Sequence, residues 1–299
     1  MKVQKKVQLI GHNAAIYALF FDESRKYVYS SDGNGWIVRW DLEQPDLGKL
    51  IAKVETNIFS MYPLLERHSI VAGNMNGGVH WIDLNQPSET KNIAHHKKGV
   101  YAITRHGKYI FTAGGDGVLT RWSIENARTL ESLQLTYAAI RAMAIHKTRH
   151  EIALGASDNN IYILDLTTFE IKKTITQAHS NSVFAVHYSP NGVHLISGGR
   201  DAHLKVWNIE QDYRCVISEP AHWFTINDIV FHPEGHWMAT ASRDKTIKIW
   251  DTRNYKLIKV IETFRDRGHV NSVNRLLWND QLLLSCSDDR SIIGWEILI

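Results

Sequence analysis

Cysteine is scarce in this chain: Cys215 and Cys286 are the only two in 299 residues. They fall far apart, so a fold stapled by disulfides is excluded and a reducing, cytoplasmic setting fits. Long apolar runs are missing too. No stretch approaches the roughly 18 apolar residues of a membrane-crossing helix. The leading residues, MKVQKKVQLIGH, break their apolar pairs with charge and lack the apolar core of a secretion signal. Net charge is also small, with 34 Lys and Arg against 31 Asp and Glu. That gives no concentrated basic face for nucleic acid. Nor is there a phosphate-cradling glycine loop, a Cys-x-x-Cys or a Gly-x-Ser-x-Gly. The expectation is a soluble, cytoplasmic protein with no cofactor and no membrane or nucleic-acid partner.

Tryptophan, by contrast, is abundant, and its spacing is regular. Trp40, Trp81, Trp122, Trp207, Trp250 and Trp295 mark one register, with Leu164 standing in once. The intervals are 41, 41, 42, 43, 43 and 45 residues. Each unit reads as a leading His, an apolar run, a turn, a second apolar run, a turn with Asp, an alternating run and a closing Trp-Asp. The fullest copy is AHWFTINDIVFHPEGHWMATASRDKTIKIWD, from Ala221 to Asp251. Gly11-His12 with Trp40-Asp41 and Gly268-His269 with Trp295-Glu296 repeat it. Such a period and signature resemble the WD-repeat (G-beta-like) β-propeller family over essentially the whole chain. The resemblance implies an all-β fold, a seven-bladed β-propeller with four antiparallel strands per blade.

On that reading the blades cover 11–52, 53–93, 94–135, 136–177, 178–220, 221–264 and 268–299. The leading strand, 3–10, aligns with the segments before His179, His222 and His269, and is expected to close the last blade. Ring closure removes the open edge that an unpaired outer strand would leave. In unit six, strands are expected near Ile226–Phe231, Trp237–Ala241, Thr246–Trp250 and Leu257–Thr263. The first two are nearly continuous apolar runs, as suits strands buried on both faces. Gln44 to Gly48 reads as a surface turn. Unit one has Asn34 where later units have Asp, and units two and four lack the leading His.

Ser, His and Asp recur together, which invites a catalytic reading. Unit six carries His222, Ser242, Asp244 and Trp250; unit seven carries His269, Ser287, Asp289 and Trp295. Unit five keeps His179, Asp201 and Trp207, and unit three keeps His96, Asp116 and Trp122, with Gly199 and Gly114 at the Ser position. A nucleophile would not be copied around a ring and dropped without pattern. The resemblance implies a buried structural hydrogen-bond network, and no residue is assigned a catalytic role. The His95-His96 pair offers too few ligands for a metal.

If the blades are scaffold, function lies on their surfaces. In the resembled family the narrow face around the central channel is favoured. Its positions five after the leading His are Tyr17, Phe59, Tyr101, Arg141, Phe184, Asn227 and Asn274. Those before the turn Asp are Gly33, Asn74, Gly115, Ser157, Arg200, Arg243 and Asp288. Aromatic residues beside Arg have the composition of binding hot spots. The expected function is a non-catalytic scaffold that binds another protein or peptide there, through an acidic or phosphorylated segment. The competing reading is a metal-dependent propeller hydrolase with its active site in the channel. That enzyme would need carboxylates and His converging inward, where the sequence places small and aromatic residues.

Overall fold

The computed structural model describes residues 1–22, 26–280 and 282–298, with Leu47 described in its backbone only. Each repeat folds as an antiparallel sheet of four strands, and the described residues form seven such sheets. In the sixth, the strands are Ile226–Phe231, Trp237–Ser242, Ile247–Asp251 and Leu257–Ile261, from the innermost outward. The outer strand stops short of Thr263 because the chain turns there into a one-turn helix, Thr263–Asp266. Asp266 fixes that turn by accepting the Glu262 N–H at 3.0 Å.

Side-chain alternation alone would give a sheet one wet face. Here the second strand of each blade is buried on both faces, as in Tyr109–Gly114 and His194–Gly199. The apolar side chains therefore form layers between sheets, and seven clusters are found, one at each junction of neighbouring blades. Outer strands such as Arg128–Gln134 are mostly exposed.

The ring closes through the leading strand. Lys2–Ile10 pairs antiparallel with Ser291–Leu298 of the seventh sheet, from Lys2 opposite Leu298 to Ile10 opposite Ser291. Its Leu9 is buried in the layer that joins the seventh blade to the first, beside Trp40 and Cys286.

Three expectations are corrected. Gln44 to Gly48 is not a turn but the start of the outer strand Gln44–Lys53. Pro45 is tolerated in this outer strand because it lies in the bulge between the paired residues Gln44 and Gly48. Gly48 is needed there for close approach, since a Cβ would lie 2.5 Å from the Trp40 ring. Trp81 is out of register. Opposite Ile70 stands Ile82, in the place that Trp40 takes opposite Val28. A shift of one residue flips a strand side chain to the other face. Trp81 accordingly packs toward the third blade, beside Trp122, and its Nε1 is buried without a partner.

The third correction concerns the hydroxyl of the network. In blade six it belongs to Thr240, not Ser242: Trp250 Nε1–H donates to Thr240 Oγ1 at 3.0 Å, and Oγ1 lies 2.7 Å from His222 Nε2. His222 Nδ1 is 2.9 Å from Asp244. In blade seven Ser285, not Ser287, lies between Trp295 and His269, at 2.9 and 2.8 Å. Ser242 and Ser287 instead accept the N–H of Asp244 and of Asp289 inside the turn. Thr112 and Ser197 play the bridging part in blades three and five, so these sets have four members. Blade one has the full set as well, His12, Ser30, Trp40 and Asp32, the carboxylate coming from two residues before Asn34. Blades two and four lack the set as a whole. Tyr162 bonds the turn residue Asp158 at 2.7 Å, and His80 bonds Asn74 at 2.9 Å.

The chemistry of the partners orders the protons. Indole N–H only donates and a carboxylate only accepts. The chain therefore runs from Trp N–H to hydroxyl, from hydroxyl to His Nε2, and from Nδ1–H to Asp, which requires a neutral imidazole. Burial lowers the pKa of His96, His179 and His222, against the pull of their Asp partners. Burial alone would raise Asp244, but His222, Thr246 and the Trp223 N–H together hold it far below the usual carboxylate range. Asp201 and Asp289 are depressed in the same way by their own partners.

Removing residues 1–10 should strongly lower the thermal midpoint, because the seventh sheet loses its outer strand; calorimetry of the truncated chain checks it. Thr240→Val leaves the Trp250 N–H and His222 Nε2 buried without partners and should cost about 1–3 kcal/mol for each, while Thr240→Ser costs little. Urea denaturation of the pair measures this. Stability should also fall as pH drops below about 6.5, where the unfolded chain takes up protons that the folded histidines refuse. A second loss should follow below about pH 4, as the unfolded carboxylates protonate before the depressed folded ones. Thermal melts between pH 7 and pH 3 would show both steps.

Candidate functional site

Seven equivalent loops build the narrow face. In each blade one backbone bond ties the inner turn to the start of the innermost strand. The N–H groups of Gly33, Met75, Gly115, Ser157, Arg200, Arg243 and Asp288 donate to the carbonyls of Ala15, Asn57, Gly99, Ala139, Ser182, Thr225 and Ser272, at 2.7–3.0 Å. Met75, half exposed, takes the place expected for Asn74. Asn74 is buried and binds the N–H groups of Asn76 and Gly78 in the turn.

Just after those bonded carbonyls, the next side chains but one point to the mouth of the channel. Tyr17, Phe59, Tyr101, Arg141, Phe184, Asn227 and Asn274 line one cavity of about 310 Å³, together with Arg275. The first five form a continuous arc. Tyr17 meets Phe59 edge-on at 5.2 Å between centroids, and Phe59 lies 5.3 Å from Tyr101. The Arg141 guanidinium stands 4.3 Å from the Tyr101 centroid and 5.1 Å from that of Phe184. Burial raises the Tyr17 pKa, and Asp288 and Asp32 add to the rise, so the ring stays a neutral phenol.

Blades six and seven complete the mouth differently. Asn227 Nδ2 donates to Ser272 Oγ and the Val273 carbonyl, at 3.0 and 2.8 Å. Asn274 Nδ2 donates to the Ile16 carbonyl and to Asp288 Oδ1, at 2.9 and 2.8 Å. Backbone carbonyls only accept, so both amide orientations are fixed. Each Asn ties its blade to the next. Arg200 and Arg243 stand exposed on the rim, and neither makes an ion pair among the described residues.

Arg275 was not expected at the mouth. It follows Asn274 directly, and its side chain reaches Asp228 of blade six at 3.4 Å. Asp228 also accepts the Leu276 N–H at 2.8 Å, and burial raises its pKa. At this position the other blades place Ala18, Ser60, Ala102, Ala142 and Ala185, which leave a second cavity of about 300 Å³ along the channel. Among the described residues no three His, Cys, Asp or Glu side chains come together to hold a metal. The repeat reading also had no position for Trp223 and Phe264, which are 86% and 97% exposed in the connections that lead into the innermost strands of blades six and seven. Their only sequence signal is an aromatic residue in a polar loop.

Comparison with known proteins agrees with this architecture. The family model described as WD domain, G-beta repeat, matches residues 3–41, 213–251 and 258–296. A second, described as an N-terminal beta-propeller domain, matches residues 79–206. Autophagy-related protein 16 of Arabidopsis thaliana is 24% identical over 75% of this chain and 43% of its own length. The 66 kDa stress protein of Physarum polycephalum is 22% identical over 97% of this chain and 47% of its own length. Nuclear distribution protein PAC1 of Coccidioides posadasii is 32% identical over 58% of this chain and 41% of its own length. The chain thus spans less than half the length of these relatives. No helix among the described residues is long and apolar enough to cross a membrane. Its seven four-stranded blades, its repeated His–hydroxyl–Trp sets and these matches make the chain a member of the WD-repeat β-propeller family.

Proposed function

We propose that the protein is a non-catalytic scaffold that binds an extended segment of another protein across the narrow face. WD-repeat propellers generally serve to bind other proteins. The observation that carries the reading is the arc from Tyr17 to Phe184, in which four rings and one guanidinium meet in a single cavity. Large rigid rings offer contact area at low entropic cost, and Arg adds directed hydrogen bonds. Arg200 and Arg243 carry the same sign of charge outward along the rim, which suits a segment with acidic or phosphorylated side chains. Asn227, Asn274 and Asp288 shape the far wall of the site. In this reading the protein works in the cytoplasm. The thiols of Cys215 and Cys286 are unpaired and suit a reducing compartment.

Arg200→Glu with Arg243→Glu should abolish binding of a partner purified with the wild-type protein and leave the thermal midpoint unchanged. Surface plasmon resonance on that partner checks it, and an unaltered affinity rejects the site.

A further inference from the structure

The fourth blade breaks the pattern of its neighbours at the mouth. Where blades one, two, three and five place a ring, it places Arg141. Its guanidinium is held on two sides by Tyr101 and Phe184, and Nε donates to Ser157 Oγ at 3.1 Å. Two electron-rich ring faces flanking a small gap form a slot for a cation. Here the protein's own side chain fills it.

Several arginines on the blades are neutralised by carboxylates. Arg121 pairs with Glu131, Arg149 with Glu151 and Arg275 with Asp228. Arg141 has no such carboxylate among the described residues, and neither of its Nη atoms meets an acceptor there. A guanidinium has five N–H donors in a planar fork. One is used by Ser157, and the rest are left for whatever enters the cavity. The orientation is set before binding, so little rotamer freedom remains to be lost.

Resting on the proposal that the narrow face is the binding face, we infer that Arg141 is a built-in occupant of a cation slot. It sets the mouth to take a carboxylate or phosphate of a partner segment and to refuse Lys and Arg. A partner cation would have to displace Arg141 from both rings or lie against its charge. An oxyanion meets a fixed fork that can bind two oxygens at once. Arg200 and Arg243, on the next two blades, extend the preference along the rim.

The test is selection of a displayed library of random nonapeptides on the wild-type protein, Arg141→Ala and Arg141→Gln, each first shown by calorimetry to melt normally. Wild-type binders should be enriched in Asp and Glu and depleted in Lys and Arg at one position. Removing the charge should weaken acidic binders about ten-fold or more, the size of one charged hydrogen bond. Arg141→Ala should in addition select Lys or Arg at that position, in the vacated slot. Synthetic versions of the binders with phosphoserine in place of Glu show which source of the oxyanion is preferred. An acid preference that survives in both variants overturns the inference, as does a wild-type preference for Lys or Arg. Phe59→Ala separates the two levels of the argument. If selected peptides bind this variant as well as the wild type, the narrow-face reading fails. If Phe59→Ala abolishes binding but the Arg141 variants keep the acid preference, only the inference about Arg141 fails. A library that yields no wild-type binder overturns both.

Discussion

A sheet with two apolar faces cannot stand alone in water, and that constraint organises the molecule. Every blade here has a second strand buried on both sides, so each needs a neighbour at either face. An open row of such sheets would leave two greasy ends. A ring leaves none, and the strand Lys2–Ile10 joins the last sheet to the first through Leu9. The small residues lining the channel, Ala18, Ala102, Ala142 and Ala185, let the innermost strands come close enough for the layers to form.

Within that ring the polar sets act as fixed pins. Each buries a His, a hydroxyl, an indole N–H and a carboxylate, and each is complete or absent. Blade four shows the second case: Leu164 and Leu154 replace the Trp and the hydroxyl together, and Tyr162 takes over the turn Asp. An incomplete set would leave buried donors or acceptors unmatched, at a cost of about 1–3 kcal/mol each. The same accounting explains why these Ser and Thr are no nucleophiles. Thr240 donates its O–H to His222 Nε2 and accepts the Trp250 N–H, sealed from solvent.

The number of blades and the closing strand were legible in the sequence from the repeat period, and the mouth positions from the place that the resembled family gives them in each repeat. Tyr17, Phe59, Tyr101 and Phe184 share one position in the repeat, and the structure brings them to one cavity. What the period does not resolve is the place along a strand. Residues 240 and 242 lie on the same side of the same strand, so alternation fits a network hydroxyl at either. Only the reach to Trp250 separates them. Trp81 misled for the opposite reason. It lies 41 residues from both Trp40 and Trp122, so the period hid a slip of one residue, and one residue is a change of face. The pairing of Arg275 with Asp228 joins two blades through side chains 47 positions apart, and no local pattern marks it.

The arc at the mouth belongs to five separate sheets, each held to the next by its own apolar layer. A segment lying from Tyr17 to Phe184 would touch all five at once and would fit only a fully assembled circle. By mass action such a guest would act as a clasp, making the circle harder to pry apart in proportion to how far its concentration exceeds its dissociation constant.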